Sequence, residues 1–173
     1  MGWEEYRAGF GDVTAGGEFW AGNEFISELT AARAMVLRVE LGAHDGATAW
    51  AEYSTFRSDF PHCYCYFHSL VIVICRVDSE EEDYRIWVGG YSGNASDSLS
   101  AHNGYKFSTV DRNNDLAPKC CPCAPAYGGG WWFYRWKTFS DYSVDVSRIC
   151  HVKYLNHGYR IVPLLGLFEF NFY

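Results

Sequence analysis

Positive charge is scarce in this chain: 14 Lys and Arg stand against 21 Asp and Glu, a formal net charge of −7. No basic stripe runs along it, and a phosphate backbone needs clustered cations, so no nucleic-acid partner is expected. Apolar length is scarce too. The longest apolar run, Leu70–Cys75, falls far short of the ~20 residues a membrane helix requires, so no membrane partner is expected. The opening Met1–Phe10 is charged and aromatic, without the apolar core of a secretory leader. G-x-S-x-G, H-E-x-x-H and P-loop patterns are missing, and with them the common ways of assembling an activated serine, a catalytic zinc or a phosphate cradle. The six histidines, His44, His62, His68, His102, His151 and His157, are scattered. The expectation is a protein that is not an enzyme. The alternative is a cysteine-dependent redox or hydrolytic enzyme, in which Cys123 and His102 would pair as nucleophile and base.

What is present points to strands and turns. A chain of 173 residues suits one hydrophobic core. Aromatics at 18% with 17 glycines fit sheets and aromatic packing better than a helical bundle. Asn23–Ala32 reads as a short helix, capped by Asn23, with Phe25, Ile26 and Leu29 as its apolar stripe. Met35, Leu37, Val39 and Leu41 alternate with Val36, Arg38 and Glu40, as a half-buried strand requires. After the Gly42–Gly46 turn, Ala47–Phe56 alternates again and completes a hairpin. Tyr84–Val88 reads as a third strand of the same antiparallel sheet, and Gly93–Gly130, rich in Gly, Asn, Asp, Ser and Pro, as a long functional loop.

Several chemistry-bearing groups sit in or near that loop. Asn94-Ala95-Ser96 is an N-glycosylation triplet in a glycine-rich turn, expected at Asn94. Asp111, Asn113 and Asp115 alternate as oxygen ligands of calcium do, although an EF-hand is excluded, since its turn glycine falls at Leu116 and its closing glutamate at Pro122. The alternative is a turn rich in Asp and Asn that holds no metal. Seven cysteines cannot all pair within one chain. Cys120 and Cys123 form a C-x-x-C. A thioredoxin-like pair should open a helix, whereas Pro125 and three glycines follow here, and zinc would need Cys63 and Cys65 as a second ligand pair. Disulfide bonding in an oxidising compartment is expected for Cys120, Cys121 and Cys123. Trp131 and Trp132 read as core, with a ligand platform as the alternative. The acidic run Asp78–Asp83 reads as a solvated loop.

Five stretches together resemble the fibrinogen C-terminal domain family, the globular module of fibrinogen chains, ficolins, tenascins and angiopoietins. They are W-x-x-Y-x-x-GFG at Trp3–Gly11, GEFWAGNEFISELT at Gly17–Thr30, LRVEL at Leu37–Leu41, DSLSAHNGYKFSTVDRNND at Asp97–Asp115 and CAPAYGGGWW at Cys123–Trp132. The CCPCAP cluster is similar to secreted scabrous-type members. The resemblance implies an α+β fold with a central twisted antiparallel sheet, short helices and long loops. It implies an extracellular recognition or signalling module for a protein receptor or a glycan, whose relatives often oligomerise through regions absent here. It also implies a calcium ion held by the side chains of Asn113 and Asp115 and the carbonyls of Ala117 and Lys119. That site is weakened, because Asn113 stands where the family usually has Asp.

The resemblance covers Trp3–Arg57 and Val77–Arg135. Joining Arg57 to Val77 restores the family's run, so Ser58–Arg76 reads as an insert; both breaks follow an Arg, as a retained intron would leave them, and a lineage-specific loop is the alternative. Trp136–Tyr173 is an unmatched tail. The family's disulfide runs from the position of Cys123 to one occupied here by Trp136, so Cys123 is expected to lack that partner. The expectation is a partial domain, 3–135, without the C-terminal pocket subdomain or the one preceding Trp3. A splice or gene-model product without activity is the second reading.

Overall fold

In the computed structural model, residues 1–12, 19–42, 46–54, 56–57, 72–73, 75–119, 121–135, 150–151 and 169–172 are described. Leu37–Gly42 forms a strand because its period-2 pattern lets Leu37, Val39 and Leu41 turn inward while Arg38 and Glu40 face out. It pairs antiparallel with Thr48–Tyr53, from Leu37 opposite Tyr53 to Gly42 opposite Thr48. Tyr91–Gly93 adds to the second strand, and Glu169–Phe172, from the expected tail, adds to the first. The order across this four-stranded sheet is Glu169–Phe172, Leu37–Gly42, Thr48–Tyr53, Tyr91–Gly93.

The expected third strand is placed differently. Ile86–Trp87 pairs with Arg76–Val77, outside the four-stranded sheet. Its direction is set by Asp83 and Tyr84, both in left-handed backbone at φ 54° and 48°, and by bonds to a later segment: Ile86 N–H donates to the Tyr105 carbonyl, and Gly104 N–H to the Ile86 carbonyl. Arg76, assigned by sequence to the insert, thus sits in a strand, and Cys75 beside it is 3% exposed in the core. Phe56–Arg57 pairs with Ile72–Val73, so the last part of the insert pairs antiparallel with the residues just before it.

Helix α1 is Trp3–Ala8 and α2 is Asn23–Ala32. The cap of α2 is Gly22, with Asn23 as the first helical residue. A side chain at Gly22, which has φ 97°, would come within 2.8 Å of the Arg7 carbonyl oxygen, so only glycine lets the two helices approach this closely. The buried face of α2 is Asn23, Ile26, Ser27 and Thr30, the i, i+3, i+4, i+7 set of one helical stripe. Phe25, expected on that stripe, is rotated off it and is 56% exposed. Thr30 fixes the orientation: its hydroxyl accepts the Val77 N–H at 3.1 Å and donates to the Ile26 carbonyl at 2.8 Å. Among the described residues no helix is long and apolar enough to cross a membrane.

Candidate functional site

The long loop hangs from the sheet by Tyr53. Its buried hydroxyl donates to Asp97 Oδ1 at 3.0 Å and accepts the Leu99 N–H at 3.1 Å. Burial, with the nearby Asp97 carboxylate, drives the phenol well above its ordinary pKa. Further along, Ser108 and Trp131 exchange two backbone hydrogen bonds, of 2.9 and 3.0 Å, closing the loop on itself. Inside it Asn114 donates from its side chain to the Phe107 carbonyl at 2.8 Å and from its backbone to Ser108 Oγ at 3.0 Å.

Asp111 and Arg112 tie this loop to the N-terminal helix and to the acidic run. Asp111 Oδ1 accepts the Thr109 hydroxyl at 2.6 Å and the Trp3 N–H at 2.9 Å. The Thr109 bond is the main reason its carboxyl titrates below the ordinary range. Arg112 reaches Glu80 at 3.1 Å and Asp83 at 2.5 Å, Lys106 reaches Asp83 at 2.8 Å, and the Trp3 indole donates to Glu80 at 2.7 Å. Asp78 accepts the Trp87 indole N–H at 2.7 Å and pairs with Arg76 at 2.6 Å. The acidic run, expected as a solvated loop, is therefore an ion-pair hub; the opposite charges of Arg76, Lys106 and Arg112 offset its self-repulsion.

The four expected calcium ligands lie on one turn. Asn113 Oδ1 accepts the Asp115 N–H at 3.0 Å; Asp115 Oδ1 accepts the Ala117 N–H at 2.8 Å and its Oδ2 the Cys123 N–H at 2.8 Å. Ala117 is half-buried and Lys119 exposed. Asp111, third of the alternating trio, points away to Trp3. The donor set meets calcium only in part: one carboxylate, one amide oxygen and two carbonyls, against the six to eight oxygens the ion takes. Each of its side-chain oxygens already accepts a backbone N–H. No cluster of three or more His, Cys, Asp or Glu side chains suited to a metal occurs among the described residues.

The cysteines separate by environment. Cys123 is buried and disulfide-bonded, to a partner other than the family's position, which Trp136 occupies here. Cys121 keeps its thiol, so its expected place in a disulfide is corrected. Cys120, Cys63 and Cys65 lie outside the described residues. Burial pushes the Cys75 thiol up to about 12, so it stays protonated and unreactive. Cys123 opens a five-residue helix, α3, Cys123–Tyr127. The sequence weighed against a helix here because of Pro125, but that residue falls in the first turn, where no intrahelical N–H bond is lost. His102 is fully buried, with Nδ1 2.7 Å from the Trp132 carbonyl oxygen. A Cys123–His102 catalytic pair would have no thiol. Trp131 and Trp132 are 5% and 3% exposed, and the Trp132 indole donates to the Tyr84 carbonyl at 2.6 Å. Both indoles are core. Asn94 is exposed, at the end of the Tyr91–Gly93 strand.

The Arg112 hub went unread in the sequence. Its cation is separated by about thirty positions from the acids it binds, a distance at which no spacing rule operates.

Comparison with known proteins places the chain. The family model for the C-terminal globular domain of fibrinogen beta and gamma chains matches residues 1–65 and 71–143, and the chain belongs to this family. It is 37% identical over 159 residues to fibrinogen C domain-containing protein 1-B of Xenopus laevis, covering 92% of this chain and 28% of that protein. It is 37% identical over 134 residues to human angiopoietin-1, covering 76% of this chain and 22% of that protein. The fold is similar to the fibrinogen-like globe domain of human ANGPTL2, with TM-score 0.62 and 33% identity over 78% of this chain and 51% of that one. It is also similar to lamprey fibrin D-dimer complexed with the peptide ligand Gly-His-Arg-Pro-amide, with TM-score 0.61 and 25% identity over 84% of this chain and 48% of that one. The chain thus spans 28% of the first of these curated relatives and about half of the solved globes. The α+β architecture expected from sequence, with antiparallel strands, short helices and long loops, is the fold it has.

Proposed function

We propose that this chain is a non-enzymatic recognition module that works outside the cell and binds a protein or glycan ligand, a protein first. The observation that carries this reading is the state of its reactive side chains. Cys123 is spent in a disulfide and His102 is buried against the Trp132 carbonyl, so the pair that offers nucleophilic chemistry serves the fold instead. Family membership supports binding as the activity, and the lamprey fibrin relative is complexed with a peptide ligand. Calcium has a minor part in this reading: Asn113, Asp115 and the carbonyls of Ala117 and Lys119 would hold it weakly and stiffen a turn already tied by backbone hydrogen bonds.

Panning a displayed peptide library on the folded chain tests the proposal. Sequences enriched on the folded chain, and not on reduced and alkylated chain, are expected. No enrichment, or turnover of a peptide, ester or disulfide substrate that thiol alkylation abolishes, overturns it.

A further inference from the structure

We propose that Asn94 is an N-glycosylation acceptor and that its glycan covers the open edge of the four-stranded sheet beside Trp50. This rests on the extracellular reading above. Asn94-Ala95-Ser96 is the only Asn-x-Ser/Thr triplet in the chain. A triplet alone says little, but the fold treats this one in a specific way. Among the described residues Tyr91–Gly93 is an outermost strand of the sheet, and Asn94 follows it directly. Gly93 has φ 146°, and a Cβ there would lie 2.3 Å from the Trp50 carbonyl oxygen, so the chain passes the neighbouring strand more closely than a side chain allows. The Asn94 and Ala95 N–H groups both donate to that carbonyl, at 3.1 and 3.0 Å. The Tyr91 hydroxyl donates to the Ala95 carbonyl, and Ala95 is buried while Asn94 is exposed.

These contacts divide the Asn94 amide into two halves. Oδ1 belongs to the fold, accepting the Trp50 N–H at 2.8 Å. Nδ2 donates to no described group and is left to solvent. Glycan transfer uses the second half alone. A bond forms between Nδ2 and the anomeric carbon of an N-acetylated hexose, and the anomeric C–O bond to its lipid pyrophosphate carrier breaks. The pyrophosphate leaves with the electron pair, and one amide proton passes to base. The product is a secondary amide whose oxygen still accepts the Trp50 N–H, so the fold keeps its bond.

The glycan emerges beside the outward face of the sheet, where Trp50 and Glu52 alternate with inward Ala51 and Tyr53. There the Arg38 guanidinium carbon lies 4.6 Å from the Trp50 ring centre. An outermost strand presents unpaired backbone groups to any other strand. A glycan rooted at its end obstructs that approach.

The test translates the full chain behind a cleavable secretory leader with endoplasmic-reticulum microsomes, as wild type, Asn94→Gln, Ser96→Ala and Ser96→Thr. Wild type and Ser96→Thr should each carry one glycan, which peptide N-glycosidase removes, leaving Asp at position 94; Asn94→Gln and Ser96→Ala should carry none. Ser96→Ala keeps the Asn94–Trp50 bond, so its loss of glycan does not reflect misfolding. Wild type and Ser96→Thr both unshifted, or Asn94→Gln still shifted, overturns the acceptor. For the edge, glycosylated chain should aggregate more slowly than enzymatically deglycosylated chain in light scattering, and equal rates overturn the covering role. The leader supplies the route, so retention of the native protein inside cells counts against the extracellular reading alone, and an unshifted routed chain counts against the acceptor alone.

Discussion

The guanidinium of Arg112 lies over the indole of Trp3, its carbon 3.8 Å from the ring centre, and the same group bonds Glu80 and Asp83. One side chain thus joins helix α1, the acidic run and the long loop. A cation over an indole contributes ~0.5–2 kcal/mol, while half-exposed ion pairs add less.

Arg112→Ala is therefore expected to lower unfolding stability by about 1–2 kcal/mol in urea denaturation. Arg112→Lys should recover only part, since an ammonium cannot stack flat on the ring or fork between two carboxylates. A change of zero in Arg112→Ala would show that the hub is ornamental.

Acid should loosen the same hub. Burial alone pushes the Asp83 carboxyl up, but its bonds to Lys106 and Arg112 outweigh this and hold it below the ordinary value of 3.8. A carboxyl depressed in the folded state contributes stability that is present above its unfolded pKa and is lost as pH falls through the folded one. Asp111, held low chiefly by Thr109, has the same sign. Thermal stability should fall on acidification below about pH 4, and Asp83→Asn should flatten that dependence. An unchanged slope in the variant would count against Asp83 as its source.

Asp115→Ala removes the acceptor of two backbone N–H groups, Ala117 and Cys123. The expected loss is about 1–3 kcal/mol, and it should be the same with chelator present, because the bonds need no metal. Calorimetry should show calcium binding no tighter than the order of millimolar, abolished in this variant. Tight binding that survives Asp115→Ala would place the ion elsewhere.

Immobilised N-acetylated sugar should retain the chain no better than blank resin, with or without calcium. Trp131 and Trp132 are buried and offer no stacking surface. Specific, competable retention would mean that a pocket has been built from other residues.

Local periodicity carried the parts of the fold that were legible beforehand. Leu37, Val39 and Leu41 had to share a face because a strand repeats every two residues, and the Asn23–Ala32 helix was readable from its own stretch of chain. Family membership was legible in motifs such as Trp3–Gly11 and Cys123–Trp132. The partner of each element was not. Thr30 selects the buried face of α2 through Val77, 47 residues away, leaving Phe25 outside. Ile86–Trp87 read as a strand but joined Arg76–Val77, because the left-handed turn at Asp83 and Tyr84 aims it there. Asp111, Asn113 and Asp115 share a spacing, yet Asp111 bonds Trp3, 108 residues distant, while Asp115 turns back on its own loop. Cys121 and Cys123, separated by a single proline, ended as a thiol and a disulfide. The sequence by itself determined the Leu37–Gly42 and Thr48–Tyr53 strands and the Asn23–Ala32 helix, because those depend on backbone periodicity within a few residues. Which atoms meet, and so which oxygens remain for an ion and which sulfur stays a thiol, was decided by tertiary contacts, whose geometry no local spacing encodes.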